Sequence, residues 1–340
     1  MAFFNSFFHK ISQDESAKSS QAPSTEAGTV YYSQVFNAQN DAAALKKAIE
    51  TKGVDEAAII EVLAKRSNAQ RQQIKAAYQQ STGKPLADAL KKALKSHLEE
   101  VALALLMTPS EYDAFEMKKA MKGLGTNEAV LSEILGTRTN NEIKAMKNSF
   151  REAYGELLEE NIKSEVSGKL ETTLLALCQA TRPEGYNIDD ALAHTDAKAL
   201  YEAGEHRIGT VVSVLIDVLT TRSDAQLVKT FQYYGQLSKK GFAKALESEL
   251  HGHLEECLLT IVKSAWNKPA YFAERLHLAM KGLGTDDDTL IRVIVSRSEI
   301  DLAKIMQEYS TMQGQTLQAA IQKETKGDYQ KILLTICGAH

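Results

Sequence analysis

The sequence predicts an all-α protein made of four copies of one unit of about five short helices, and three observations carry that prediction. From Asp41 onward, apolar residues recur at helical spacing among strong helix formers, the chain holds only 5 prolines, and no run alternates as a strand would. A Leu-x-x-Arg-[Ser/Thr] signature, or a near copy of it, ends at Arg66, Arg138, Arg222 and Arg297, at intervals of 72, 84 and 75 residues. Met121-Lys122-Gly123-Leu124-Gly125-Thr126 returns almost letter for letter as Met280-Lys281-Gly282-Leu283-Gly284-Thr285. A looser third copy is Gly204-Glu205-His206-Arg207-Ile208-Gly209-Thr210.

In chain order, residues 1–40 are rich in Ser, Gln and Ala and read as a flexible tail. Within the tail, segment 2–12 is amphipathic, because Phe3, Phe4, Phe7, Phe8 and Ile11 form one helical stripe. A helix that short does not persist alone in water, so it docks either into its own core or into a partner's groove. Repeat one is expected at 41–107, repeat two at 108–180, a linker at 181–190, repeat three at 191–264 and repeat four at 265–340. The linker holds the turn-forming run Thr181-Arg182-Pro183-Glu184-Gly185, and the added length there suggests that the repeats group two plus two.

Each of the three Gly-Thr pairs is followed, after 38 residues, by a glutamate: Glu165, Glu249 and Glu324. Glycine after a helical segment reads as a helix stop, and Thr before acidic residues reads as the next helix's cap. Carbonyls at a helix C-terminus lack intrahelical partners and carry the negative end of the macrodipole. Glycines let the backbone aim several of those carbonyls at one point without side-chain interference. With a carboxylate brought in from far along the chain, such a point offers the oxygen-only donor set that calcium takes, whereas zinc prefers His or Cys. Repeat one departs from the pattern. Its loop reads Lys52-Gly53-Val54-Asp55-Glu56, two residues shorter, and Ala93 stands where the distant glutamate is due, so its main site is expected to be absent or weaker.

Composition bounds the alternatives. The 340 residues are 44% hydrophobic and 25% charged, as in ordinary globular domains. No apolar run approaches a membrane span and no leader opens the chain, so a cytosolic protein is expected. With formal charge -4 and no polybasic run, no nucleic-acid partner is expected. Cys178, Cys257 and Cys337 lie in apolar segments and read as buried thiols, and the four signature arginines read as structural ion-pair members. The pair His251 and His253 lacks a third soft ligand and reads as solvated. No G-x-S-x-G or P-loop motif supports an enzyme.

The K-G-x-G-T loop, followed after 38 residues by an acid, in a fourfold repeat of about 70 residues covering some 300 residues, resembles the annexin family. The resemblance implies a curved disc of four five-helix repeats whose convex face carries calcium loops and meets anionic phospholipid membranes. Carried over by position, it places calcium on Met121, Gly123 and Gly125 with Thr126 and Glu165. The matching positions are Gly204, Arg207, Gly209 and Glu249 in repeat three, and Met280, Gly282, Gly284 and Glu324 in repeat four. Secondary sites fall on Gly53, Val54 and Glu56, and on Lys91, Leu94 and Glu99. Apolar tips Val54, Leu124, Ile208 and Leu283 are suited to enter the headgroup boundary, with Lys122, Arg207 and Lys281 beside phosphate. The resemblance also implies phospholipase inhibition, recruitment of a small EF-hand dimer of the S-100 type through segment 2–12, and extracellular or nuclear pools beside the cytoplasmic one.

Overall fold

The computed structural model describes residues 27–338, and these hold nineteen helices and no strand. Repeat one comprises α1 (Ala38–Glu50), α2 (Glu56–Ala64), α3 (Asn68–Thr82), α4 (Leu86–Ala93) and α5 (Ser96–Leu106). Repeat two comprises α6 (Pro109–Ala120), α7 (Glu128–Thr137), α8 (Asn140–Tyr154), α9 (Leu158–Glu165) and α10 (Gly168–Cys178). Repeat three runs from α11 (Asp190–Ala203) through α12 (Val212–Thr221), α13 (Asp224–Leu237) and α14 (Phe242–Glu249) into α15 (Gly252–Met280). Helix α15 is two helices run together. Its torsions leave the helical region at Asn267 (φ -157°, ψ 93°), whose side chain caps the second half by accepting from the Ala270 N–H at 3.0 Å. Repeat four continues with α16 (Asp287–Arg297), α17 (Leu302–Gln313), α18 (Leu317–Glu324) and α19 (Gly327–Ile336).

The repeated signature does two structural jobs. Its arginine forms a two-pronged pair with an aspartate of the repeat's first helix: Arg66 with Asp41 (2.8 and 3.1 Å), Arg138 with Asp113 (3.0 and 2.9 Å), Arg222 with Asp196 (2.7 and 3.2 Å). The following Ser67, Thr139 or Ser223 caps the third helix, at about 1 kcal/mol each. Repeat four is different because Phe272 stands where the aspartate is due, 25 residues before the arginine. There Arg297 lies 4.5 Å over the Phe272 ring and pairs instead with Asp301, the residue preceding α17. The fifth helix of each repeat starts on a left-handed residue, glycine in three repeats and Ser96 (φ 56°) in repeat one.

The repeats do group two plus two, but with different partners from those the linker suggested. One compact unit spans Asp113–Tyr271, repeats two and three, and the other holds the described chain up to Tyr112 together with that from Phe272, repeats one and four. The linker is held on both sides. Arg182 donates to the Arg222 carbonyl (3.1 Å) and pairs with Asp224 (2.7 Å), while Asn140 donates to Glu184 and to the Arg182 carbonyl, both at 2.7 Å.

In the other unit, residues 27–33, expected as flexible tail, are structural. Ala27 and Val30 are buried, the Thr29 and Val30 amides donate to the Ser298 carbonyl, and the Thr29 hydroxyl donates to that of Ile336 at 2.7 Å. Gln70 zips Ser33 onto α3 through two 2.9 Å bonds, as Gln226 zips Asp189 onto α13 through two of 2.8 Å. Phe3, Phe4, Phe7, Phe8 and Ile11 lie outside the described residues. The three cysteines are free and buried as expected, and burial pushes each thiol up to about 12.

Candidate functional site: the loops between first and second helices

Each repeat closes the turn between its first and second helices with the same backbone bond onto the alanine near the end of the first helix. Asn127 donates to Ala120 (2.8 Å), Val211 to Ala203 (2.8 Å), Asp286 to Ala279 (2.8 Å) and Asp55 to Ala48 (2.9 Å). In repeats two and four two glycines inside that turn take the left-handed region, Gly123 (φ 97°) and Gly125 (φ 91°), and Gly282 (φ 96°) and Gly284 (φ 84°). A Cβ built on any of them would meet nothing within 4 Å. Glycine is therefore required by torsion, not by crowding as the sequence reasoning held.

The distant glutamates arrive where the spacing placed them. Glu165, Glu249 and Glu324 are the last residues of the eight-residue helices α9, α14 and α18. Each accepts a hydrogen bond from the threonine of its loop: Thr126 to Glu165 at 3.3 Å, Thr210 to Glu249 at 2.6 Å, and Thr285 to Glu324 at 3.1 Å. The threonines are not the helix caps the sequence suggested, because each second helix starts one residue too late for them. That role falls one residue later, to Asn127 and Asp286, whose side chains accept from Val130 and Thr289, and in repeat three Val211 occupies the position without a side-chain bond. Thr210 and Thr285 were missed as site residues, although the Gly-Thr pair that signals them was in view.

The carbonyls of Met121, Gly123 and Gly125, and those of Met280, Gly282 and Gly284, accept no hydrogen bond among the described residues. Repeat three is looser. Its loop is one residue longer, and the Gly204 carbonyl already accepts from the Arg207 N–H at 3.1 Å. Its base is braced by Tyr234, which donates to Glu205 at 2.9 Å, and by His206 stacked on Tyr201. Burial and the Glu205 bond raise the Tyr234 pKa, keeping that hydroxyl a donor.

At the tips, Leu124, Ile208 and Leu283 are fully exposed (108%, 101% and 107%), flanked by exposed Lys122, Arg207 and Lys281. Val54 breaks the expected set, being only half exposed. The shared closing bond explains why: counted from it, Val54 occupies the place of Thr126, and the exposed position matching Leu124 is Lys52. The turn of repeat one spans the same seven residues as that of repeat two, but α1 runs two residues further into it, to Glu50. Thr51 (φ -61°) replaces the left-handed Gly123, and Ala93 ends α4 where Glu165 ends α9. Of the secondary positions, Gly53, Val54, Glu56 and Leu94 line one cavity, while Lys91 and Glu99 are not among its lining residues. His253 is 60% exposed and faces Glu128 and Glu256 at 3.5 and 3.8 Å, and among the described residues no cluster of three His, Cys, Asp or Glu side chains is placed to hold a metal.

Comparison with known proteins bears on this architecture. The annexin family model matches four times, at residues 40–105, 112–177, 195–261 and 271–336. Annexin A1 of Homo sapiens is 53% identical over 326 residues, 96% of this chain and 94% of that one, and annexin A1 of Bos taurus is 55% identical over 303 residues, 89% and 88%. The solved structure of annexin III superposes with a TM-score of 0.90 at 45% identity, covering 92% of this chain and 97% of that one. A structure described as calcium-bound annexin (Sm)1 superposes with a TM-score of 0.81 at 32% identity, over 92% and 93%. Four family-model repeats, laid over four five-helix repeats with the same closing bond, make this chain a member of the annexin family.

Proposed function

We propose that this chain binds anionic phospholipid membranes in a calcium-dependent manner, through the loops of repeats two, three and four. The observation that carries the reading is the triple juxtaposition of a helix-terminal glutamate with a loop threonine, beside carbonyls that accept no hydrogen bond among the described residues. The donor set fits calcium, because it is all oxygen and carries one carboxylate. Met121, Gly123, Gly125 and Glu165 would hold one ion, and Met280, Gly282, Gly284 and Glu324 a second. Arg207, Gly209 and Glu249, with the partly engaged Gly204 carbonyl, would hold a third.

Bound there, calcium supplies the positive charge on which a lipid phosphate closes the open coordination. The threonine hydroxyls orient the carboxylates, and the exposed Leu124, Ile208 and Leu283 enter the headgroup boundary, where their apolar surface leaves water. Lys122, Arg207 and Lys281 stand beside the tips to pair with phosphate. Lipid and calcium therefore raise each other's affinity by one coupling free energy. Gly53, Val54 and Glu56, and Lys91, Leu94 and Glu99, form weaker secondary sites in this reading. The similarity to a chain described as calcium-bound supports it.

The same attachment would mask lipid substrate and so inhibit phospholipases, and would bridge two membranes if loops engaged both. The EF-hand partner proposed for segment 2–12 falls on residues outside those described. The reading implies a cytoplasmic protein that moves to membranes when calcium rises. Its test is sedimentation with phosphatidylserine vesicles: binding with calcium and release by chelator are expected, and failure to sediment with calcium in excess overturns it.

A further inference from the structure

The loop of repeat three differs from those of repeats two and four in shape as well as in length. Each of those two is turned by a pair of left-handed glycines, whereas in repeat three only Gly209 (φ 80°) is left-handed and Gly204 (φ -126°) is not. A loop with one more residue has more conformations to lose before it can hold a cation. Two side chains near its start restrict it. Glu205 accepts a hydrogen bond from the Tyr234 hydroxyl at 2.9 Å, and His206 stacks on Tyr201 with ring centroids 5.1 Å apart. Tyr234 lies in α13 and is 1% exposed, and its hydroxyl donates to a carboxylate, the stronger class of hydrogen bond.

Tyr234 also touches the other half of the site. Its ring meets that of Phe242 edge-on, 5.2 Å between centroids, and Phe242 opens the eight-residue helix α14 that Glu249 closes. The two halves meet at Gly204, where a built Cβ would lie 3.8 Å from the Glu249 Cγ. One buried residue therefore contacts both the loop and the helix that brings the carboxylate. Neither of the other loops that own a distant glutamate repeats this tie. Counted from the signature arginine, Phe150, which has no hydroxyl, takes the place of Tyr234 in repeat two, and Tyr309 takes it in repeat four. Neither loop, 121–126 or 280–285, contains an acid to receive a hydroxyl. Resting on the calcium reading above, we propose that Tyr234 is a positioning residue for the third cation site. Through Glu205 it keeps the loop that carries the Gly204, Arg207 and Gly209 carbonyls against the Glu249 carboxylate. Without that bond calcium must order the loop as it binds, at a cost in affinity. Glu205 acts here as an acceptor and not through its charge.

The test uses the full chain carrying Glu165→Gln/Glu324→Gln, so that only the loop of repeat three keeps its glutamate, in a calcium series with phosphatidylserine vesicles. In this parent Tyr234→Phe, which removes the hydroxyl alone, should raise half-maximal calcium at least about threefold, and Glu205→Ala should do the same. The two together should shift it no further than either alone. Glu205→Gln keeps an accepting oxygen without the charge and should stay close to the parent. With Glu249→Gln as the background instead, Tyr234→Phe should shift nothing, whereas a general loss of stability would act in both. Additive shifts, a loss with Glu205→Gln as large as with Glu205→Ala, or tighter binding in Tyr234→Phe overturns the proposal. A second readout needs neither calcium nor lipid. Amide exchange of residues 204–210 in chelator should quicken at least about threefold in Tyr234→Phe, with 121–126 exchanging as in wild type. Unaltered exchange there rejects the proposal even where calcium binding is confirmed. Wild type that does not sediment brings down the calcium reading, and the exchange measurement judges the tie in either case.

Discussion

Repeats one and two share nearly all of their scaffold. Their first-helix turns close on the same bond over seven residues, their second helices are capped by Asp55 and Asn127, and their fourth helices are eight residues long. Three of their differences bear on the candidate cation site. Thr51 stands for Gly123, Val54 for Thr126, and Ala93 for Glu165, and with those exchanges the carboxylate and its threonine partner are gone. The comparison teaches that the fold supplies the turn, and that a few residues on it decide whether the turn has the donor set for a cation. Repeat three lies between these cases, with the carboxylate present and one carbonyl engaged within the loop.

The comparison can be sharpened by experiment, beginning with the scaffold. Arg138 and Asp113 are almost fully buried (side chains 3% and 9% exposed), whereas Arg66 in repeat one is 21% exposed. Arg138→Ala should lower stability by about 3–5 kcal/mol, because it strands a buried carboxylate. Arg66→Ala should cost less, and equal losses in denaturant melts would contradict the burial difference. Next, Gly125→Ala should cost about 1–2 kcal/mol by forcing a side chain into the left-handed region, although there is space for the methyl group. Thr51→Ala at φ -61° should stay within about 0.5 kcal/mol.

At the tips, Leu124→Ser should weaken calcium-dependent vesicle binding several-fold, on the order of 1 kcal/mol for partial burial of one leucine. Lys52→Ser, at the matching position of repeat one, should change it much less.

The smallest effect expected is one of pH. Its hydrogen bond to Glu100, with Asp287 also near, raises the His97 pKa above 6.5. A raised folded-state pKa gives stability that is full below about 6.5 and is lost as pH rises through the folded value. Wild type should therefore lose slightly more thermal stability than His97→Gln on going from pH 6 to pH 8.5, and parallel curves would remove His97 from the account.

The sequence disclosed those features that depend on local pattern or on a fixed interval. Helical periodicity and the Arg signature gave the repeats, and the 38-residue interval brought Thr126, Thr210 and Thr285 to Glu165, Glu249 and Glu324. Features that depend on partners far along the chain were not legible. The run from Thr181 to Gly185 has the composition of a turn-forming linker, yet Arg182 and Glu184 are bound by Asp224 and Asn140, more than 40 residues away. Likewise residues 27–30 read as part of a flexible tail, although they are fixed by Ser298 and Ile336 at the far end of the chain. The cap is Asn127 and not Thr126 because the second helix begins at Glu128, one residue later than the pattern suggested, which spacing alone does not reveal.

The most direct test of the central claim is a calcium series of phosphatidylserine vesicle binding, comparing wild type with Glu165→Gln/Glu249→Gln/Glu324→Gln. The account predicts that the triple change moves half-maximal binding to at least tenfold higher calcium, about 1.4 kcal/mol of lost coupling, while the fold is kept because Glu165 is exposed and Glu249 and Glu324 are partly so. Unchanged calcium dependence would contradict it, and would move the attachment to repeat one or to the aromatic segment at the start of the chain.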